Sequence, residues 1–185
     1  MTPGSDRVLD GLMEMLAVAD LGKDQLGSRL DEAVAGAQLL LGADGAGLML
    51  LSESGELTVV GASTPPAAAL EHGQATLGEG PGIDSTRQRR IVSVSDLRRD
   101  PRWPALADHA RRHGLGAVLS APIWLHQRPA GNLNMLCLQP REWSPEDAQA
   151  LAAYGGIVTA FLRIALEGRE GGTVADVLGL RREGA

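Results

Sequence analysis

Cysteine, aromatic rings and lysine are all scarce in this chain. Of its 185 residues one is cysteine, Cys137, and Phe, Trp and Tyr together make up 3%. A single cysteine forms no intramolecular disulfide and builds no cysteine-based metal cluster; it directs the expectation to a cytoplasmic protein. With so few rings, the core has to come from Leu, Val, Ala and Met. Lys23 stands alone, so positive charge is carried by arginine. No apolar run approaches the roughly 18 residues of a membrane span. No charged segment followed by an apolar one opens the chain, so no secretory leader is expected. The formal net charge of −6 argues against broad nucleic-acid binding.

What is present suits one domain of about 150 residues with short tails, since 44% of residues are hydrophobic. The arginines are unevenly spread. Arg87, Arg89, Arg90, Arg98, Arg99, Arg102, Arg111 and Arg112 crowd into one stretch. They read as a solvated, partly salt-bridged face, or alternatively as a surface for an anion or partner.

Periodicity sets out the elements. Leu9, Leu12, Leu16 and Ala19 recur at helical spacing and predict a helix over 6–21. A second helix is expected from about Asp24 to Leu41, closed by Gly42. Apolar runs at 45–51 and 57–62 flank Ser52-Glu53-Ser54-Gly55 and predict a hairpin. Residues 64–73 read as a Pro/Ala-rich connection with a turn or two of helix at most. A short helix is expected over 81–88, a strand over 91–94, and a helix over 104–113 with Pro at its first position. Strands follow at 116–125 and 132–138, joined by a polar turn over 126–131. Ser144, Pro145, Glu146 and Asp147 give an N-cap, a first-position Pro and acidic first turn to a final helix reaching about Glu167. Strands and helices mix without regular β-α-β alternation. That order predicts an α+β fold with one antiparallel sheet and helices on one or both faces.

The stretch LGEGPGIDSTRQ, from Leu77 to Gln88, has glycine at positions 78, 80 and 82. It does not read as a phosphate loop. No Lys follows the glycines, the third glycine of a dinucleotide fingerprint is replaced by Ile83, Pro81 has no N–H, and Glu79 brings negative charge. The glycines read instead as a tight loop entering a helix or, alternatively, as the rim of a site for a neutral or cationic small molecule.

GEGPG at 78–82, SVSDL at 93–97, DPRWPALADHA at 100–110, GLGAVLSAPI at 114–123 and GNLNMLCL at 131–138 together resemble a GAF domain. The nearest resemblance is to the GAF domains of actinobacterial GAF–ANTAR regulators, over about Leu26 to Leu166. It implies a central antiparallel sheet of about five to six strands flanked by helices, with a small-molecule pocket under loops and short helices. It also implies homodimerisation through the terminal helices. The domain plan is then an N-terminal helix over 1–22 as a dimerisation candidate, a GAF-like sensor over 23–167, and a tail over 168–185. An ANTAR output would need a further three-helix segment of about 55 residues. About 18 residues follow Glu167, so no RNA-binding output and no direct nucleic-acid contact is expected from this chain.

The expected role is non-enzymatic: a sensor for an unidentified small-molecule effector, working in transcription regulation as a soluble homodimer away from membranes. The alternative is an interaction module with no open pocket. GAF-type methionine sulfoxide reductases form and resolve a disulfide between cysteines, which Cys137 alone cannot do within one chain. It also reads as a buried strand residue unsuited to bilin attachment. No Ser-His-Asp arrangement is supported. No metal or covalent cofactor is expected, with haem held by His72, His109 or His113 as the weaker alternative. The candidate ligand-binding residues are Glu79, Gly80, Pro81, Asp84, Asp96, Trp103, Asn132 and Asn134. For each a structural role competes: helix-dipole partner for Asp84, turn cap for Asp96, core plug for Trp103, and loop anchor for Asn132 and Asn134.

Overall fold

The computed structural model describes residues 23–52 and 54–167. The helix expected over 6–21 and the tail over 168–185 lie outside the described residues. The elements run α1 (Lys23–Leu41), β1 (Gly45–Leu51), β2 (Leu57–Ala62), α2 (Pro65–Leu77), α3 (Pro81–Gln88), β3 (Val92–Val94), a 3-10 turn (Leu97–Arg99), α4 (Pro104–His113), β4 (Ala117–Leu125), β5 (Arg128–Cys137) and α5 (Pro145–Glu167). The five strands form one antiparallel sheet in the order β2-β1-β5-β4-β3. The fold is α+β, as the mixed order of elements predicts.

The strands alternate, and the two faces of the sheet receive different side chains. Leu48 and Leu50 of β1, Leu133 and Met135 of β5, and Leu119, Ala121 and Ile123 of β4 point to one face. There they pack against Leu30 and Val34 of α1 and Leu151, Val158 and Phe161 of α5. Each of these residues is buried, so this is the larger apolar core. The other face carries Val92, Val94, Val118 and Leu136 at one end, under Leu70 of α2 and Trp103 and Leu106 at the start of α4. Between them Asn132 and Asn134 rise from β5 into the same side.

Two elements differ from the sequence expectation. Residues 64–73 are no mere connection: they begin a 13-residue helix, α2, that runs to Leu77. Thr64 caps it by accepting a bond from the Ala67 N–H at 3.4 Å, and Pro65 and Pro66 occupy the first positions. Proline is tolerated there because those N–H groups have no helical partner. The β4–β5 turn is also tighter than six residues. His126 and Gln127, at φ 48° and 62°, make a two-residue turn of the kind whose twist matches antiparallel strands. Strand β5 therefore begins at Arg128, and the register shifts between Ile123 and Trp124, leaving Ala130 opposite no residue of β4.

Candidate functional site

Helix α2 builds the site by its spacing. Ala67, Leu70, Glu71 and Gln74 fall on one face of the helix and are all buried, so a carboxyl and an amide are carried against the sheet along with two apolar side chains. Glu71 meets β5 at Asn134, whose Nδ2 lies 2.7 Å from Oε2 and 2.9 Å from Oε1. The approach is possible because Asn134 pairs across the sheet with Gly47. A Cβ at Gly47 would fall directly on the Glu71 carboxyl.

The cluster continues in both directions. Gln74 Nε2 donates to Glu71 Oε2 at 3.0 Å, and its Oε1 accepts from the Gly82 N–H at 2.7 Å. Asn134 Nδ2 also reaches Asn132 Oδ1 at 2.8 Å. Asn132 Nδ2 donates to Thr86 Oγ1 at 2.9 Å, and Thr86 donates to the Gly82 carbonyl at 3.0 Å. Helices α2 and α3 are thus tied to the sheet through polar groups in the interior. Gly82 sits directly on the two asparagines: a Cβ there would lie 2.7 Å from Asn132 Oδ1. Two oxygens of the cluster, Ser120 Oγ and Asn134 Oδ1, are buried without a hydrogen-bond partner among the described residues. Ser120 and Asn134 are directly paired across β4 and β5.

Electrostatics follow from burial. Glu71 is fully buried, and desolvation lifts its pKa from 4.5 to about 8, against the opposing pull of the bonds from Asn134 and Gln74. Desolvation wins because amide donors favour the carboxylate less than water does. At neutral pH this carboxyl is therefore mostly protonated and uncharged.

Beside the cluster lies a groove of about 1030 Å³. Thr86 belongs to both. Ile83 and Thr86 of α3 form one side of the groove, Leu51 and Leu57 of the β1–β2 hairpin another, and Arg87, Arg89 and Arg128 also line it.

The eight candidate residues are dispersed differently from their sequence spacing. Asn132 and Asn134 meet at the centre of the cluster, and the Gly80–Pro81 turn that opens α3 lies next to it. Glu79 turns to α4, where Oε1 accepts the Leu106 N–H at 2.9 Å and so satisfies a donor of that helix's first turn. Asp84 is half-buried in the first turn of α3, where the helix dipole favours its charge. Trp103 is buried in the smaller apolar cluster, with the Arg102 guanidinium 4.2 Å from its ring centre. Asp96 caps the 3-10 turn and accepts Arg98 Nε at 2.8 Å. That bond holds its carboxyl below the usual range against a smaller effect of burial. It borders a separate small groove with Arg98, Arg99 and Arg141.

Glu71, Gln74 and Thr86 are absent from the sequence candidates. The available signal was Thr64-Pro65-Pro66, a helix start that places Glu71 and Gln74 on one face with Leu70. His72 does not overlie the site: it is on the exposed side of α2, with Nδ1 2.7 Å from the Ala68 carbonyl. His109 is half-buried, with Nε2 2.9 Å from the Ala69 carbonyl. Cys137 is buried at the end of β5, on the opposite side of the strand from Leu136.

An antiparallel sheet with long helices on one face, and shorter helices covering a buried polar cluster on the other, defines an α+β domain class. The particular family follows from the sequence: the GAF domain profile matches residues 25–160, and the chain belongs to the GAF domain family. Solved structures agree in fold. The GAF domain of the Acinetobacter phosphoenolpyruvate-protein phosphotransferase is similar with a TM-score of 0.65 at 14% identity, covering 93% of this chain and 100% of that one. The free methionine-R-sulfoxide reductase of Neisseria meningitidis, solved in complex with its substrate, gives 0.65 at 14% identity over 91% and 96%. The blue-light absorbing form of the Thermosynechococcus elongatus PixJ GAF domain gives 0.59 at 19% identity over 80% and 89%. Among curated proteins no sequence matches the chain. Among the described residues no helix is long and apolar enough to cross a membrane.

Proposed function

We propose that this chain is a non-enzymatic sensory domain that takes a small-molecule effector on the polar side of its sheet. The carrying observation is the interior cluster of Glu71, Gln74, Asn132 and Asn134, which leaves Ser120 Oγ and Asn134 Oδ1 without a partner among the described residues and shares Thr86 with an open groove. Buried polar atoms without partners are costly in a domain that only needs to fold. They are well suited to receive a ligand's polar groups. Of the sequence candidates, Asn132 and Asn134 with the Gly80–Pro81 turn are the contacts this reading retains, and Glu71, Gln74, Thr86 and Ser120 join them.

The signal would pass through the sheet to α1 and α5. These helices pack on each other and on the opposite face, and Leu39 and Leu40 of α1 are exposed, which suits a homodimer contact. The resemblance to GAF–ANTAR regulators supports a role in transcription regulation, with the output carried by another protein or segment. The substrate-bound sulfoxide reductase among the similar structures raises the question of catalysis. Here the single cysteine, Cys137, is buried on β5 beyond Leu136 and apart from the polar cluster, which supports binding without turnover.

A second reading is an interaction module whose chamber is filled by its own side chains. It is favoured by the closure of the cluster through its internal hydrogen bonds. Native mass spectrometry of the purified protein, set against its denatured mass, separates the two. A dimer carrying extra mass supports the sensor. A bare dimer favours the interaction module, and a bare monomer removes the proposed helix relay.

A further inference from the structure

The arginine run of the sequence is divided by the fold into paired and unpaired groups. Arg98 and Arg99 pair with Asp96, Arg102 with Asp100, and Arg111 with Asp108. Arg90 donates to Gln88, and Arg112 lies exposed on α4, away from the groove. Arg87 and Arg89, by contrast, line the 1030 Å³ groove, and the tight β4–β5 turn brings Arg128 to the same groove from a distant part of the chain. Among the described residues no hydrogen bond or ion pair engages these three guanidinium groups. Glu56 also lines the groove, with its carboxylate bonded to Ser54 Oγ. The groove therefore carries a local excess of positive charge in a chain of net charge −6.

Arg89 adds an independent observation. It closes α3 in the left-handed region at φ 59°, a conformation that glycine or asparagine holds with less strain. A long cation is kept there at a conformational cost, and it lines the groove. Beside the cations lie apolar surfaces, the side chains of Leu51, Leu57 and Ile83. Unpaired guanidinium groups next to apolar walls recognise a molecule with both properties.

We propose that the groove binds an amphipathic organic anion, with a carboxylate or phosphate head held by Arg87, Arg89 and Arg128 and an apolar body laid on Leu51, Leu57 and Ile83. This inference rests on the sensory reading above and names the chemical class of an effector seated in the groove, which adjoins the polar cluster at Thr86. It also reverses, for the groove, the neutral or cationic preference that Glu79 suggests in the sequence, because Glu79 is turned to α4.

The test is titration calorimetry of the full chain with four probes: octanoate, octyl phosphate, octanol and inorganic phosphate. The expected result is binding of octanoate or octyl phosphate at least tenfold tighter than octanol or inorganic phosphate, weakening as salt rises. The tighter of the two amphipathic anions identifies the head group. Arg87→Gln and Arg128→Gln should each weaken that binding about fivefold or more, with unchanged unfolding midpoints, while Arg90→Gln leaves it unaltered. Octanol binding as tightly as the anions overturns the proposal. So does inorganic phosphate binding as tightly as octyl phosphate, indifference to both arginine substitutions, or no binding by any probe. Failure here and failure of the sensory reading are distinguishable. Anion binding that leaves the dimer fraction in native mass spectrometry unchanged keeps the ligand class and removes the helix relay. A neutral co-purified molecule does the reverse.

Discussion

Along β5, alternate residues serve two different interiors. Leu133 and Met135 face α1 and α5 in a wholly apolar core, whereas Asn132 and Asn134 face α2 and α3 in a buried polar cluster. Both faces are equally dry by exposure, with these four residues at 0%, so burial does not separate them. What separates them is how burial is compensated. On the apolar face each removed methylene loses transfer energy and leaves a cavity. On the polar face each hydrogen bond contributes only about 1 kcal/mol net, while an unmatched polar group costs about 1–3 kcal/mol. The first face is suited to hold the fold. The second holds the fold less strongly and leaves two polar atoms unmatched among the described residues, which is the physical basis for seeking ligand contacts there.

The comparison is broken most severely on the apolar side. Phe161 is the largest fully buried side chain of that core. Phe161→Ala is expected to lower unfolding free energy by about 3–5 kcal/mol, measured by the denaturant midpoint. A loss under about 1 kcal/mol would mean that α5 does not hold the sheet as described.

On the polar side the largest expected effect depends on pH. The folded-state pKa of Glu71 is raised from 4.5 to about 8, so the folded chain keeps a proton that the unfolded chain releases. Stability from this group is fully present below pH 4.5 and is lost as pH rises through about 8. At about 1.4 kcal/mol per pKa unit, the loss is on the order of a few kcal/mol. Glu71→Gln keeps the shape without the titration, so its unfolding midpoint should vary less across that window. Parallel pH profiles for the two proteins would show that Glu71 ionises normally in the fold.

Gly47 gives a smaller perturbation of the same contact. A methyl at position 47 would occupy the place of the Glu71 carboxyl. Gly47→Ala should cost about 1–3 kcal/mol by overpacking. Combined with Glu71→Ala, which vacates the space, it should cost less than the sum of the two single changes. Additive losses in a double-mutant cycle would separate the glycine from the carboxyl.

The element limits on both faces were legible in the sequence, and the polar cluster itself only in part. The 45–51 and 57–62 hairpin, the 81–88 and 104–113 helices and the final helix are punctuated by glycine, proline and capping residues, so local chemistry marks their limits. Asn132 and Asn134 stood out because they alternate with apolar residues on a strand. Their partners did not, since Thr86 and Glu71 lie 46 and 63 positions away in sequence, and only tertiary packing brings them together. Glu71 was hidden further because 64–73 read as a Pro/Ala-rich connection, although proline in a first turn is a start signal. The groove arginines, which have no partner among the described residues, look in sequence like Arg98 and Arg102. Which of them finds a carboxylate is decided by the fold.

The smallest expected effect is the most diagnostic of why the polar face exists. Ser120 presents to Asn134 a hydroxyl that has no partner among the described residues, while its backbone carbonyl receives the Ser85 hydroxyl at 3.4 Å. Removing an unmatched buried hydroxyl relieves its desolvation and creates little space. Ser120→Ala in the ligand-free, refolded protein is therefore expected to leave stability unchanged or raise it by up to about 1 kcal/mol, read from the denaturant midpoint. In protein purified with a bound effector the sign should reverse, because the hydroxyl then has a bond to lose. A Ser120→Ala that destabilises the ligand-free chain by more than about 1 kcal/mol would mean that the hydroxyl is already satisfied. The polar face would then be a second closed core, and the interaction-module reading would gain the ground that the sensor reading loses.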